Sequence, residues 1–95
     1  MPYIDKHGRM SLDPIVDAIV EALDNDGWHV GDINYIFTRV LDAWFRRSPK
    51  YETICNIMGT VDCVGKEFYR RVAIAYEDKK RWGNGDVYSP ENVTP

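Results

Sequence analysis

The most regular pattern in the chain runs from Ile33 to Phe45. Ile33, Ile36, Phe37, Val40, Leu41, Trp44 and Phe45 are apolar at steps of three and four. That spacing predicts a helix with one complete apolar stripe. Asp32 is the expected cap. Ser48-Pro49 is the expected stop, because the residue before a proline is pushed out of the helical region. Arg46 and Arg47 suit the negative end of the helix dipole.

A shorter stripe precedes it at Ile15, Val16, Ile19, Val20 and Leu23. Asp13 reads as its N-cap and Pro14 as its first residue, where a missing N–H costs nothing. Asp17 and Glu21 fall on the polar side, and DNDG at 24–27 ends it. The opening MPYIDKHGRMS has no helical period and predicts an extended, flexible arm. In the connector DNDGWHVG, Trp28 is expected to cover an end of the core rather than to grip a ligand.

The third pattern is long. No proline interrupts the chain from about Lys50 to Lys80, and Ile54, Met58, Val61, Gly65, Phe68, Val72 and Tyr76 advance three or four residues per step. Asp62–Lys66, Glu67–Arg71 and Glu77–Arg81 are acid-first pairs at i, i+4, the favoured order. Gly59 and Gly65 each cost about 1 kcal/mol relative to alanine and mark places for a kink or a close approach. Gly83 reads as the residue just past the helix end.

Together these patterns predict an all-α domain of three helices, two short and the last long, spanning 1–88, with 89–95 as a flexible tail. At 1.5 Å per residue the last helix reaches roughly 45 Å, the second roughly 20 Å and the first roughly 16 Å. A short connector favours an antiparallel hairpin of the first two. Such a hairpin cannot cover the whole third helix. The uncovered half needs another partner, the candidates being the N-terminal arm, the tail or a second chain, and the expectation is a homo-oligomer built on it.

Charge sharpens the picture. Residues 1–32 hold seven acids and two bases (7 − 2, net −5), and residues 33–82 hold ten bases and six acids (10 − 6, net +4). A broad nucleic-acid binder carries a basic excess over the whole domain; this chain has a net charge of −3. The plain reading is an acidic first helix beside a basic last one, in one chain or between two. Cys55 and Cys63 lie eight residues apart on one predicted helix, roughly 12 Å along its axis, too far to bridge. They are expected as small core residues in a reducing, cytoplasmic setting. No signal peptide and no membrane-spanning run is visible, so no membrane partner is expected.

The chemistry-bearing residues are sparse. His7 and His29 are the only histidines, and no CxxC, HxxxH or calcium-loop pattern occurs. No metal and no cofactor is expected. Ser11, Ser48 and Ser89 lack the strand-turn-helix setting of a nucleophile elbow. Glu77 and Asp78 are adjacent, so on a helix they diverge by about 100°. GNGD at 83–86 follows a helix instead of preceding one, unlike a phosphate loop. The expectation is a protein that is not an enzyme.

The end of the chain is where a site would form. Arg70, Arg71, Lys79 and Lys80 interleave with Tyr76 and Trp82. Forked cationic donors beside flat rings suit a nucleotide-sized anion. The same charges also suit a solvated helix end, the commoner case for charge runs on surface helices, or ion pairs between subunits.

The segments PYI (Pro2–Ile4), LDPIVD (Leu12–Asp17), GDINYIFTRVL (Gly31–Leu41), EFYRRV (Glu67–Val72), AYEDKK (Ala75–Lys80) and NGDVY (Asn84–Tyr88), in that order, resemble a family of short proteins from phages, prophages and bacteria. The likeness runs to Tyr88. RWG at Arg81–Gly83 departs from that family's usual polar run. The resemblance implies small size, a helical fold and a viral setting. It transfers no activity and no functional residue.

The expected function is therefore a non-enzymatic, homo-oligomeric binding protein. It would hold a small anionic, nucleotide-like ligand with Arg70, Arg71, Tyr76, Lys79, Lys80 and Trp82. The alternative is an interaction or assembly module, possible partners being a host protein or further copies of itself, in which those residues make inter-subunit ion pairs.

Overall fold

The computed structural model of the protein describes residues 4–92. Its order is α1 (Lys6–Asp26), α2 (Val30–Arg47), α3 (Tyr51–Phe68), a π turn (Tyr69–Ala73), α4 (Ile74–Asn84) and a 3-10 turn (Pro90–Asn92). The segments from Tyr51 to Asn84 are continuous, so there are three helices with a long last one, and no strand among the described residues.

The first helix starts eight residues before its expected start at Pro14. Asp5 is its cap: the Gly8 N–H donates to Asp5 Oδ1 at 2.8 Å, and the Arg9 N–H donates to the Asp5 carbonyl at 3.1 Å. The arm expected over 1–11 is therefore helical from Lys6, while Tyr3, assigned to the same arm, lies outside the described residues. Pro14 sits inside the helix. It offers no N–H to the Met10 carbonyl one turn back. The misplacement has a plain cause: Asp-Pro is a strong start signal, and here an earlier aspartate supplies the cap.

Gly27 ends α1 at φ 85°, its N–H donating to the Leu23 carbonyl. Trp28 follows at φ 60°, and its N–H reaches the same carbonyl at 3.0 Å. α2 starts at Val30, capped by the backbone of His29, which places Asp32 in the first turn instead of at the cap. Ser48 stops it as expected, with φ −150° before Pro49.

Neither Gly59 nor Gly65 disturbs the last helix. The irregularity lies at Tyr69–Ala73, where the Ile74 N–H donates to the Tyr69 carbonyl, five residues back. The helix also runs through Gly83. Gly85, at φ 90°, is the residue that ends it, its N–H donating to the Arg81 carbonyl at 2.8 Å.

The chain divides into two compact units, Met1–Thr60 and Val61–Pro95. In the first, Leu23 (6 % exposed), Thr53 (5 %) and Ile57 (9 %) are the buried residues. Ile33, Ile36, Leu41, Trp44 and Phe45 of α2 are half-buried. Leu41 and Phe45 form an apolar groove with Ile54, Ile57 and Met58. In the second unit no described residue is buried. Val61, Val64, Phe68, Val72 and Tyr76 are all exposed. Cys55 and Cys63 are also exposed, against the expectation of core residues.

Candidate functional site

The residues from Phe68 to Tyr88 carry most of the candidate chemistry, and the π turn sets their directions. An α-helix turns about 100° per residue, so eight residues would carry Tyr76 about 80° away from Phe68. A π turn takes up one extra residue without extra rotation. Tyr76 therefore comes back to within about 20° of Phe68, and the stripe Val61, Val64, Phe68, Val72, Tyr76 stays straight. Trp82 is carried off it by the same step.

The predicted site residues are thus divided. Tyr76, Lys79 and Lys80 line one shallow groove of about 360 Å³ with Gly83 and Asn84. Lys80 Nζ stands 5.5 Å from the centre of the Tyr76 ring, a cation–π contact. Arg70, Arg71 and Trp82 do not line this groove. Arg70 Nε and Nη2 both donate to the Glu67 carboxylate at 3.1 Å. Trp82 is 83 % exposed.

A second groove, about 370 Å³, runs along the other side of Lys80 and Asn84. Its walls include the acids Glu77, Asp78 and Asp86, together with Val87 and Tyr88. Beyond Gly85 the chain turns, and the Tyr88 N–H donates to Asp86 Oδ1 at 2.9 Å. These carboxylates weaken the local attraction for an anion.

The ion pairs only partly follow the expected spacing. Lys66 meets Asp62 at 2.8 Å, and that hydrogen bond, then the charge of Asp62, raises the Lys66 pKa. Glu67 takes Arg70 at i+3 instead of Arg71, and Arg81 takes Asp78 at 3.7 Å instead of Glu77. On exposed helix surfaces such pairs are worth little, because solvent screens them.

One polar feature lies in the first unit. Asp32 Oδ2 is sealed from solvent with no ordinary donor. Once protonated, the Asp32 carboxyl can donate to its neighbour Asp26, another carboxyl. That hydrogen bond, then desolvation, then repulsion by the Asp26 charge, raise the Asp32 pKa, while His29 opposes them. Sequence reasoning missed this pair, although two acids flanking the Gly27 turn were a visible signal. It missed the π turn as well, for which Tyr69–Ala73 offers neither proline nor glycine.

Among the described residues, no group of three or more His, Cys, Asp or Glu side chains is placed to hold a metal ion. No helix there is long and apolar enough to cross a membrane. The model of one family, described as a domain of unknown function (DUF6899), matches residues 1–87. No curated protein and no solved structure matches the chain.

Proposed function

We propose that this chain, which belongs to the DUF6899 family, is a non-enzymatic assembly module that works as a homo-oligomer. The observation behind this reading is the unburied apolar surface. Val61, Val64, Phe68, Val72 and Tyr76 form one straight stripe, and each is between 47 % and 63 % exposed. A soluble monomer seldom leaves a contiguous apolar patch of this extent in water, and such patches mark interaction surfaces. A helix without a packed face is marginal in water. A phage or prophage setting rests on the resemblance of the sequence segments alone. Sedimentation equilibrium across a wide concentration range tests the assembly. A single monomeric species at high concentration would refute it.

A second reading has its own observation. Lys80 over the Tyr76 ring, with Lys79 and Asn84 on the same groove, offers two ammonium groups, an amide and a flat surface. That set suits a small anionic, nucleotide-like ligand. Arg70 contributes less than the sequence implied, because Glu67 engages both arms of its guanidinium. Thermal-shift screening with nucleotides and cyclic dinucleotides tests this reading, since a ligand that binds only the folded state raises Tm by mass action. No shift with any of them would leave the assembly role alone.

A further inference from the structure

We propose that Asn84 is a site of self-modification, at which the backbone nitrogen of Gly85 converts the side-chain amide into a carboxylate and closes the neighbouring groove to anions. The chain has five asparagines, Asn25, Asn34, Asn56, Asn84 and Asn92, and Asn84 alone is followed by glycine. The following residue matters because its amide nitrogen is the nucleophile. Glycine has no Cβ to shield that nitrogen or to restrict its approach. Outside the adjoining backbone, no atom lies within 4 Å of where a Cβ would stand on Gly85, or on Gly83 before the asparagine. Asn84 is itself exposed and is the last residue of α4. A backbone hydrogen bond from the Gly85 N–H to the Arg81 carbonyl, 2.8 Å, holds the nitrogen in the helical path. Helix ends fray, and no described residue of Val61–Pro95 is buried to resist opening of the last turn.

Once that turn opens, the Gly85 nitrogen gives its proton to hydroxide and attacks the side-chain amide carbon of Asn84. A new C–N bond forms, and the bond to the amide nitrogen breaks. That nitrogen takes a proton from solvent and leaves as ammonia. The product is a succinimide ring. Water adds to one of its carbonyls and opens it, giving aspartate or isoaspartate at position 84. No oxidant or reductant takes part. Asn84 lies on the walls of both grooves at this end of the chain. Lys80 stands one helical turn before it, so a carboxylate at 84 is a direct i, i+4 neighbour of that ammonium. It competes for the Lys80 Nζ that stands 5.5 Å from the centre of the Tyr76 ring. It also joins Glu77, Asp78 and Asp86 around the second groove. A negative charge at a helix C-terminus opposes the dipole as well. The consequence for the groove rests on the nucleotide reading above; the modification does not.

The test incubates the full chain in mildly alkaline buffer and then digests it. Mass spectrometry follows each asparagine through the mass gained when NH2 is replaced by OH. Asn84 should be modified at least about tenfold faster than Asn25, Asn34, Asn56 or Asn92. A rate at Asn84 no higher than at the others overturns the proposal. In Asn84→Gln the amide carbon stands one methylene further out, so the same incubation should leave that position unmodified. The groove is read with ATP and a cyclic dinucleotide as probes. The rise in Tm that they give fresh wild type should shrink after incubation. The response of Asn84→Gln, whatever its size, should be the same before and after. Equal shifts from fresh and modified wild type overturn the consequence for the groove. No shift in fresh wild type overturns the nucleotide reading and that consequence with it, and the masses still decide the modification.

Discussion

The indole N–H of Trp28 donates to Asp24 Oδ1 at 2.6 Å, one turn back along α1. Trp28 is also the one described non-glycine residue with positive φ, 60°. The two facts belong together. The left-handed region costs a bulky residue about 1–2 kcal/mol. The charge-assisted bond to Asp24 offsets part of that and ties the ring against the end of its own helix. Removing the acceptor with Asp24→Ala should lower stability by about 1 kcal/mol, while Asp24→Asn, which keeps an oxygen there, should cost less. Urea midpoints of the two variants check this. Trp28→Gly in the Asp24→Ala chain should recover part of the loss, because glycine adopts that φ without strain.

Phe68 lies at the middle of the exposed stripe and is 63 % exposed. On a surface that stays in water, Phe68→Glu would be neutral or would improve solubility. On an interface it places a desolvated charge in an apolar seam. We expect Phe68→Glu to weaken self-association at least tenfold, at least about 1.4 kcal/mol, and to lower Tm at concentrations where the wild type is assembled. Light scattering and thermal denaturation over a concentration series measure both. A concentration-independent Tm, equal in variant and wild type, would contradict the expectation.

The three-helix plan and the long last helix were legible because periodic apolar residues and a Ser-Pro stop are local signals. Ile33–Phe45 and the run without proline after Lys50 carried them. Start and stop residues were less legible, since several candidates compete for one role. Asp5 displaced Asp13, and Gly85 displaced Gly83, because a cap is decided by which side chain or φ angle the backbone can use. The candidate site was legible as composition but not as geometry. Tyr76, Lys79 and Lys80 do meet in one groove. Arg70 is taken by Glu67, and Trp82 is turned aside by a π turn that no residue type announces. The exposed cysteines make the same point from the other side: apolar flanks say that a face wants burial, and not that this chain alone supplies it.

Asp32, beside Asp26, makes stability depend on pH. The Asp32 pKa is raised in the folded state from the ordinary 3.8, so the folded state holds that proton more tightly than the unfolded one. The contribution is fully present below 3.8 and is lost as pH rises through the folded-state value. At neutral pH the two carboxylates repel across the α1–α2 turn. Asp26→Asn supplies an amide N–H donor to the Asp32 carboxylate. It should raise the urea midpoint at pH 7 and flatten the pH dependence above 3.8. Matching profiles for Asp26→Asn and wild type would remove the pair as the cause.

Deleting a residue from a helix normally rotates everything beyond it by about 100° and ruins a packed face. The π turn predicts the opposite here. Tyr69–Ala73 already holds one residue more than an α-helical path needs, so removing Ala73 lets the segment close as α-helix. Tyr76 then keeps its direction to within about 20° of Phe68. The Ala73 deletion should therefore fold and assemble like the wild type. Inserting one alanine after Ala75 has no such slack and turns Tyr76, Lys79 and Lys80 about 100° away from the stripe. It should abolish association while leaving helix content nearly intact. Sedimentation equilibrium and circular dichroism on the two chains read the contrast. Loss of assembly in the deletion, or its retention in the insertion, would mean that the far end of the stripe plays no part in the contact.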